Sequence, residues 1–139
     1  MGNQKIDAFA EPAGWTDQVA ECFALIDHRD GFDPREYKEM VDRGEARLMR
    51  CFVMSEFVGF ALIRIESHGT YSEGVVVAAG GRSSENLTAI FLPLFRAYFE
   101  KFGCAHMRFH THREGLARKA EKFGFGVVEY TLRSAINGQ

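Results

Sequence analysis

The stretch VVVAAGGRSSENLTAIF, residues 75–91, decides how the fold of this chain is predicted. A run of valines ends in a double glycine, an arginine and two serines, and a helical pattern of apolar residues then begins. A strand, a glycine-rich turn and a helix N-terminus in this order can hold phosphate groups with backbone amides. A plain tight turn followed by a serine N-cap has the same order. The stretch therefore predicts a strand–helix unit and leaves its binding role open.

Length and composition indicate a single folded domain, residues 1–139. The chain is 46% hydrophobic and 26% charged, with a formal net charge of −2. This charge gives no global attraction to nucleic acid or to anionic membranes, so neither is an expected partner. No apolar run approaches the ~20 residues of a membrane span. Three widely spaced cysteines without a CxxC pair favour reduced thiols, and we expect a cytoplasmic protein.

Periodic patterns predict the order β-α-α-β-β-β-α-β-α-β. The three central strands have hairpin-length links and should be antiparallel neighbours, whereas the unit 71–112 should give a parallel pair. The expected fold class is therefore α/β, a mixed central sheet with helices on both faces. The predicted strands are 5–10, 47–54, 57–66, 71–78, 105–112 and 126–133, and the predicted helices are 16–27, 34–43, 87–102 and 114–123.

Three phrases resemble the GNAT superfamily of N-acetyltransferases: VGFALIRIE (58–66), the strand–helix unit at 75–91, and GLARKAEKFGF (115–125). The resemblance covers roughly residues 5–133 and implies the acyl-CoA N-acyltransferase fold. It also implies that acetyl-CoA is a co-substrate and that no metal is required. The implied reaction transfers an acetyl group to a primary amine of a small molecule or protein, by direct attack in a ternary complex.

The resemblance also implies a cofactor site along the predicted strand–helix unit. In this family the pantetheine arm of acetyl-CoA pairs with strand backbone, and its pyrophosphate binds the amides of the next loop. The pattern of that loop, Gln/Arg-x-x-Gly-x-Gly/Ala, is satisfied here in neither register. The double glycine can still turn its amides inward at positive φ, and an arginine can bind phosphate. The implied contacts are Val76, Val77 and Ala78 for pantetheine and Gly80, Gly81, Arg82, Ser83 and Ser84 for pyrophosphate.

Transfer to an amine needs a base for the ammonium and an acid for the leaving thiolate. The resemblance points to Glu73 as the base, early on the strand that feeds the loop, with Glu66 as the second choice. The tyrosine that many members use as the acid falls on Ala120, so Tyr130 is the substitute. Each candidate also has a plain structural interpretation, as a solvated strand-end charge or a half-buried aromatic.

His110 and His112 share one face of their predicted strand with Arg108. Such a pair can chelate a metal, and a neutral imidazole can act as a base. A metal-dependent member of the superfamily acting on nucleobases is therefore one hypothesis; the sequence identifies no third ligand, although His68 or Glu73 could approach. In the other interpretations these histidines form a polar wall of the cleft or an exposed strand end. Substrate contacts are expected at His112 and, between the first two helices, at Asp30 and Phe32.

A further hypothesis is a catalytically inactive GNAT-fold protein with a binding or structural role. The compact chain, the incomplete loop pattern and the missing tyrosine resemble small bacteriophage members, such as virion or accessory proteins. Such a protein would form a homodimer or assemble into a larger protein complex.

Overall fold

A computed structural model describes residues 7–24, 35–81, 87–110 and 114–128, together with residues 132, 134 and 136. These residues form a five-stranded sheet and four helices. The elements are β1 Ala8–Pro12, α1 Asp17–Ala24, α2 Arg35–Asp42, β2 Arg47–Val53, β3 Glu56–Ser67, β4 Ser72–Gly81, α3 Leu87–Lys101, β5 His106–Phe109 and α4 Glu114–Glu121.

The sheet is mixed and its strand order follows the chain, β1-β2-β3-β4-β5. The first three pairs are antiparallel, and β4 pairs with β5 in parallel. This is the pairing that the short links and the crossover helix predict. The fold class predicted from the sequence is therefore confirmed.

Helices cover both faces of the sheet. Under α3, the buried residues include Phe91, Phe95, Phe99, Ala61 and Ile63. Under α1 and α2, they include Val19, Phe23, Tyr37, Leu48 and Leu62. Successive residues of a strand point to opposite faces, so the unbroken apolar run of β3 supplies both cores.

The longest helix, α3, has 15 residues and continues through Pro93. At a rise of about 1.5 Å per residue it is about 22 Å long. Within the described ranges, no helix is long and apolar enough to cross a membrane. The cysteines Cys22, Cys51 and Cys104 are free thiols, and burial raises the pKa of Cys51 to about 12.

The strand β4 continues through the double glycine, which the sequence placed in a turn. Gly80 pairs with Phe60, and Gly81 pairs with Gly59. A Cβ atom on Gly81 would lie 2.1 Å from the carbonyl oxygen of Val58, so this glycine permits a close approach of two strands. Neither glycine of the pair has a positive φ. Two predictions are therefore wrong: that the strand ends at residue 78, and that the double glycine turns its amides inward at positive φ.

The first and last strands also differ from their predictions. β1 includes Glu11 and Pro12, which the sequence placed in a turn; a proline is tolerated there because β1 is an edge strand. The described part of the predicted strand 126–133, residues 126–128 and residue 132, has no strand structure. Val127 and Val128 are exposed, so they bury too little apolar surface to stabilise a strand. Residues 129–131 and 133 lie outside the described residues.

The strand β5 pairs with only the first part of β4. The parallel register joins Glu73–Val76 to His106–Phe109, whereas β4 continues to Gly81. β5 is shorter than the predicted strand 105–112, of which residues 111 and 112 lie outside the described part. Beyond Val76, this edge of β4 has no strand partner in the described ranges. A bulge also begins there, because Val77 is an extra residue between Val76 and Ala78 in the pairing with β3.

Candidate active site

Charged side chains meet where β3, β4 and β5 lie side by side. Glu66 pairs with Glu73 across the β3–β4 hairpin, and Val75 pairs with Arg108 across β4 and β5. Gly74 faces α3, so the flanking side chain of Glu73 points to the opposite face of the sheet. That face is the one that α1 and α2 cover further along the strands. The hairpin register and the parallel pair therefore bring two carboxylates and a guanidinium together.

Arg108 bridges the two carboxylates. Its Nη1 donates to Glu66 Oε1 at 2.8 Å and to Glu73 Oε1, and its Nη2 donates to Glu66 Oε2 at 3.1 Å. Arg64 donates another hydrogen bond to Glu66 Oε2. We call Arg64, Glu66, Glu73 and Arg108 the ion-pair cluster. Its two positive charges balance its two negative charges.

The ion-pair cluster is partly shielded from solvent. The side chains of Glu73 and Glu66 are 15% and 21% exposed. The hydrogen bond from Arg108 is the main cause that lowers the pKa of Glu66; burial opposes it and Arg64 adds to it. The bond to Glu66 likewise raises the pKa of Arg108. Glu66 is therefore stabilised as the carboxylate, which makes it a poor proton acceptor.

Acidification is expected to remove the contribution of Glu66 to stability. Its pKa in the folded protein lies below the ordinary value of 4.5, so the stabilisation is present above pH 4.5 and is lost as the pH falls through the folded-state pKa. A Glu66→Gln variant should be less stable than wild type at about pH 6, by about 1 kcal/mol because the pair is partly exposed. Urea unfolding should show this difference shrinking toward about pH 3.

The matched control for this experiment is Glu56→Gln, since Glu56 is exposed at the other end of β3. The control should follow the wild-type pH dependence. A stability difference between Glu66→Gln and wild type that stays constant down to about pH 3 would contradict the coupling to Arg108.

An imidazole and two further rings adjoin the ion-pair cluster. His68 Nε2 lies 3.1 Å from Glu73 Oε1 and 3.5 Å from Glu66 Oε1. The His68 ring centroid is 5.0 Å from that of Tyr71, which is 5.3 Å from that of His106. Tyr71 is 43% exposed. An aromatic surface that faces solvent therefore lies beside the two carboxylates.

Glu66, His68 and Glu73 are also spaced for a cation. Their candidate ligand atoms all lie within 4.8 Å of one another, and two carboxylates with an imidazole suit zinc. However, the Arg108 guanidinium already contacts both carboxylates. A divalent cation would have to displace it or lie against its positive charge. The arrangement therefore favours an ion-pair network over a metal centre.

An open groove of about 1140 Å³ passes the ion-pair cluster and runs along β5 toward α4. Glu66, Glu73, Arg108 and His110 contribute to its wall, as do Ala120 and Phe125. A molecule in this groove would reach the charged side chains from solvent.

The structure brings together only some of the residues predicted for the site. Glu73 and Glu66 adjoin each other in the ion-pair cluster, and exposed His110 follows β5. The predicted pantetheine residues divide into Val76, which pairs with β5, and Val77 and Ala78, which lie beyond that pairing. Seven predicted residues lie outside the described part of the chain: Tyr130, Arg82, Ser83, Ser84, Asp30, Phe32 and His112.

Ala120, the position where the resemblance would place a tyrosine, is 2% exposed. It lies on α4, and the backbone N–H groups of Phe123 and Phe125 donate to its carbonyl oxygen. The residue also lines the groove, where an alanine supplies no acid.

The sequence interpretation missed three members of the site in their observed roles: Arg108, Arg64 and His68. Arg108 was placed on the correct face, beside His110, but its partners are 35 and 42 positions away in the chain. A signal did exist in the predicted hairpin. Its turn around Gly69 sets Glu66 opposite Glu73, and two facing carboxylates need a nearby cation.

The chain is similar to known proteins in its fold and not in its sequence. No protein-family model matches the chain, and no curated protein matches it in sequence. Solved structures of acetyltransferases do match it over nearly its whole length. The chain has the fold of the GNAT acetyltransferases, as the sequence resemblance predicted.

Three solved structures illustrate the likeness. A transcriptional regulator from Bacillus halodurans C-125 matches with a TM-score of 0.70 at 15% identity, covering 94% of this chain and all of that one. Glucosamine-6-phosphate N-acetyltransferase from Arabidopsis thaliana matches at 0.65 and 11% identity, over 94% and 99% of the two chains. An aminoglycoside acetyltransferase from an uncultured soil metagenomic sample, in complex with sisomicin, matches at 0.62 and 8% identity, over 92% and 96%.

Proposed function

We propose that this protein is an acetyl-CoA-dependent N-acyltransferase that acetylates a primary amine, with Glu73 as the general base. One observation carries the proposal. The single strand β4 presents a carboxylate at Glu73, a bulge at Val77 and then an edge without a strand partner among the described residues, which leads toward α3. A base and a place for an extended acyl donor thus follow each other along one strand.

The open edge of β4 suits the pantetheine arm of acetyl-CoA. Backbone N–H and C=O groups at an unpaired strand edge can bind an extended chain that carries amides. Ala78 is buried under α1, and the Cys22 thiol of α1 donates to the Gly80 carbonyl at 3.4 Å. These contacts support β4 from one face, while its edge stays available within the described ranges.

In the proposed reaction Glu73 accepts a proton from the ammonium of the acceptor, directly or through water. The neutral amine nitrogen then forms a bond to the acetyl carbonyl carbon, the carbon–sulfur bond of the thioester breaks, and the nitrogen loses its second proton to solvent to give the neutral amide. The leaving thiolate takes a proton from an acid, for which Tyr130 stays our prediction. Glu73 suits the base role better than Glu66, because Oε2 of Glu73 has no hydrogen-bond partner among the described residues, whereas both Glu66 oxygens are bound.

Acetyl-CoA is expected to raise the melting temperature of the protein, because a ligand that binds only the native state stabilises it. At a concentration a hundred times Kd the stabilisation is about 2.7 kcal/mol. Thermal unfolding with acetyl-CoA, with acetyl-pantetheine and with adenosine bisphosphate would separate binding at the β4 edge from binding of the nucleotide. An unchanged melting temperature in millimolar acetyl-CoA would overturn the proposal and favour a GNAT-fold binding protein.

A further inference from the structure

We propose that Arg108 is a positioning residue that orients Glu73 for proton transfer, and that Glu66 moderates the charge that Arg108 presents to it. This inference rests on the proposed function, in which Glu73 is the base. It assigns roles to two residues that do not themselves contact the reacting amine.

The hydrogen bonds of Arg108 divide unequally between the two carboxylates. Glu66 receives bonds at both oxygens, from Nη1 and Nη2 of Arg108, and a further one from Arg64. Glu73 receives its bond from Arg108 at Oε1 only, and His68 lies at the same oxygen. Oε1 is therefore the bound oxygen of Glu73, and Oε2 is the one left to accept a proton.

The backbone makes this arrangement rigid. Glu66, Glu73 and Arg108 lie on three neighbouring strands, and the pairs Glu66–Glu73 and Val75–Arg108 belong to the regular ladder of the sheet. A planar guanidinium loses little freedom when it binds in its fork geometry. A proton acceptor must be aligned precisely with the group that it deprotonates. A residue on the sheet can hold that alignment better than a residue on a loop.

The charges around Glu73 predict opposite effects for two substitutions. From β5 it faces the positive Arg108, and from β3 it faces the negative Glu66, itself bound by the positive Arg64. His68 approaches from the β3–β4 turn, with the Tyr71 and His106 rings behind it. Removing the positive charge favours protonated Glu73, whereas removing the second negative charge favours its carboxylate.

The experiment measures kcat/KM against pH for acetyl-CoA with a polyamine, an amino sugar and a lysine-containing peptide as acceptors. Arg108→Gln should lower kcat/KM near pH 7 by about tenfold or more and move the acid limb of the profile to higher pH, because a positive charge beside the base is lost. Glu66→Gln should move the same limb down. Arg108→Lys keeps the positive charge but loses the planar guanidinium. It should therefore keep the acid limb at its wild-type pH and retain only part of the wild-type kcat/KM.

The matched control is Arg50→Gln, which breaks an exposed arginine–glutamate pair between β1 and β2, away from the site. It should leave the profile unchanged. The positioning role would be overturned if the acid limbs stay in place, or if they move in the same direction in Arg108→Gln and Glu66→Gln. A loss of folded protein alone would lower the rate without moving a limb.

Two further readouts keep this inference separate from the proposed function. All variants should keep the wild-type thermal shift with acetyl-CoA, because none of these side chains lies at the open edge of β4. A wild-type protein that binds no acetyl-CoA would overturn the proposed function itself. A wild-type protein that binds it but acetylates none of the amines would overturn the base role of Glu73 and, with it, the positioning role.

Discussion

Glu73→Gln is expected to lower kcat/KM for acetylation by about a hundredfold or more, the usual contribution of a general base. The amide is similar in shape to the carboxylate and can still accept the hydrogen bond from Arg108, but it cannot accept the proton of the ammonium. Steady-state release of the CoA thiol measures the effect. The thermal shift with acetyl-CoA should stay at its wild-type size, because Glu73 lies in the part of β4 that pairs with β5, before the open edge begins.

The control for this loss is again Glu56→Gln, an exposed glutamate at the far end of β3, which should keep full activity. Glu66→Gln provides an internal comparison. Both Glu66 oxygens are bound by arginines. Glu66→Gln should therefore lower kcat/KM at neutral pH much less than Glu73→Gln does. A greater loss in Glu66→Gln than in Glu73→Gln would transfer the base role to Glu66.

The sequence predicted the central hairpin and the crossover unit because their signals are local. An alternating or continuous apolar run, a short polar turn and a long amphipathic stripe each follow from neighbouring residues. The double glycine shows the limit of such signals. Gly81 is needed because the backbone of Val58 approaches closely from another strand, and a residue far away in the chain leaves no mark at residue 81 itself.

The bulge in β4 limits what alternation can predict about the site. Val76 packs under α3 and Ala78 packs under α1, although they are two residues apart and a regular strand would place them on one face. The extra residue Val77 reverses the alternation. Glu73 precedes the bulge, so its face could be predicted from β3 and β5, but the face of the predicted pantetheine residues could not.

Phe99→Ala is expected to destabilise the protein by about 3–5 kcal/mol, the usual cost of deleting a buried aromatic ring. Phe99 is 2% exposed, and its ring lies over Gly74, the residue next to Glu73. A Cβ atom on Gly74 would lie 2.2 Å from the Phe99 Cγ. The missing side chain at residue 74 is therefore what allows the ring of α3 to reach the sheet.

This contact predicts that the effect of Gly74→Ala depends on Phe99. In the wild type the added methyl group forces the ring outward and should cost about 1–3 kcal/mol. In a Phe99→Ala background the Cγ and the ring atoms that the new methyl group would meet are gone, so the same substitution should cost little or be stabilising, because alanine restricts the unfolded chain more than glycine does. Urea unfolding of the four proteins gives the coupling energy directly.

Gly14→Ala is the matched control, since a Cβ atom there meets nothing within 4 Å. It should have the same small effect in both backgrounds. Equal costs of Gly74→Ala with phenylalanine and with alanine at residue 99 would show that the ring does not approach the sheet as closely as described. A Gly74→Ala substitution that destabilises the wild type but stabilises the variant without the ring would show that the missing side chain at residue 74 lets α3 pack against β4. This contact lies on the face opposite to the ion-pair cluster. The packing of the core would then fix the strand that carries Glu73.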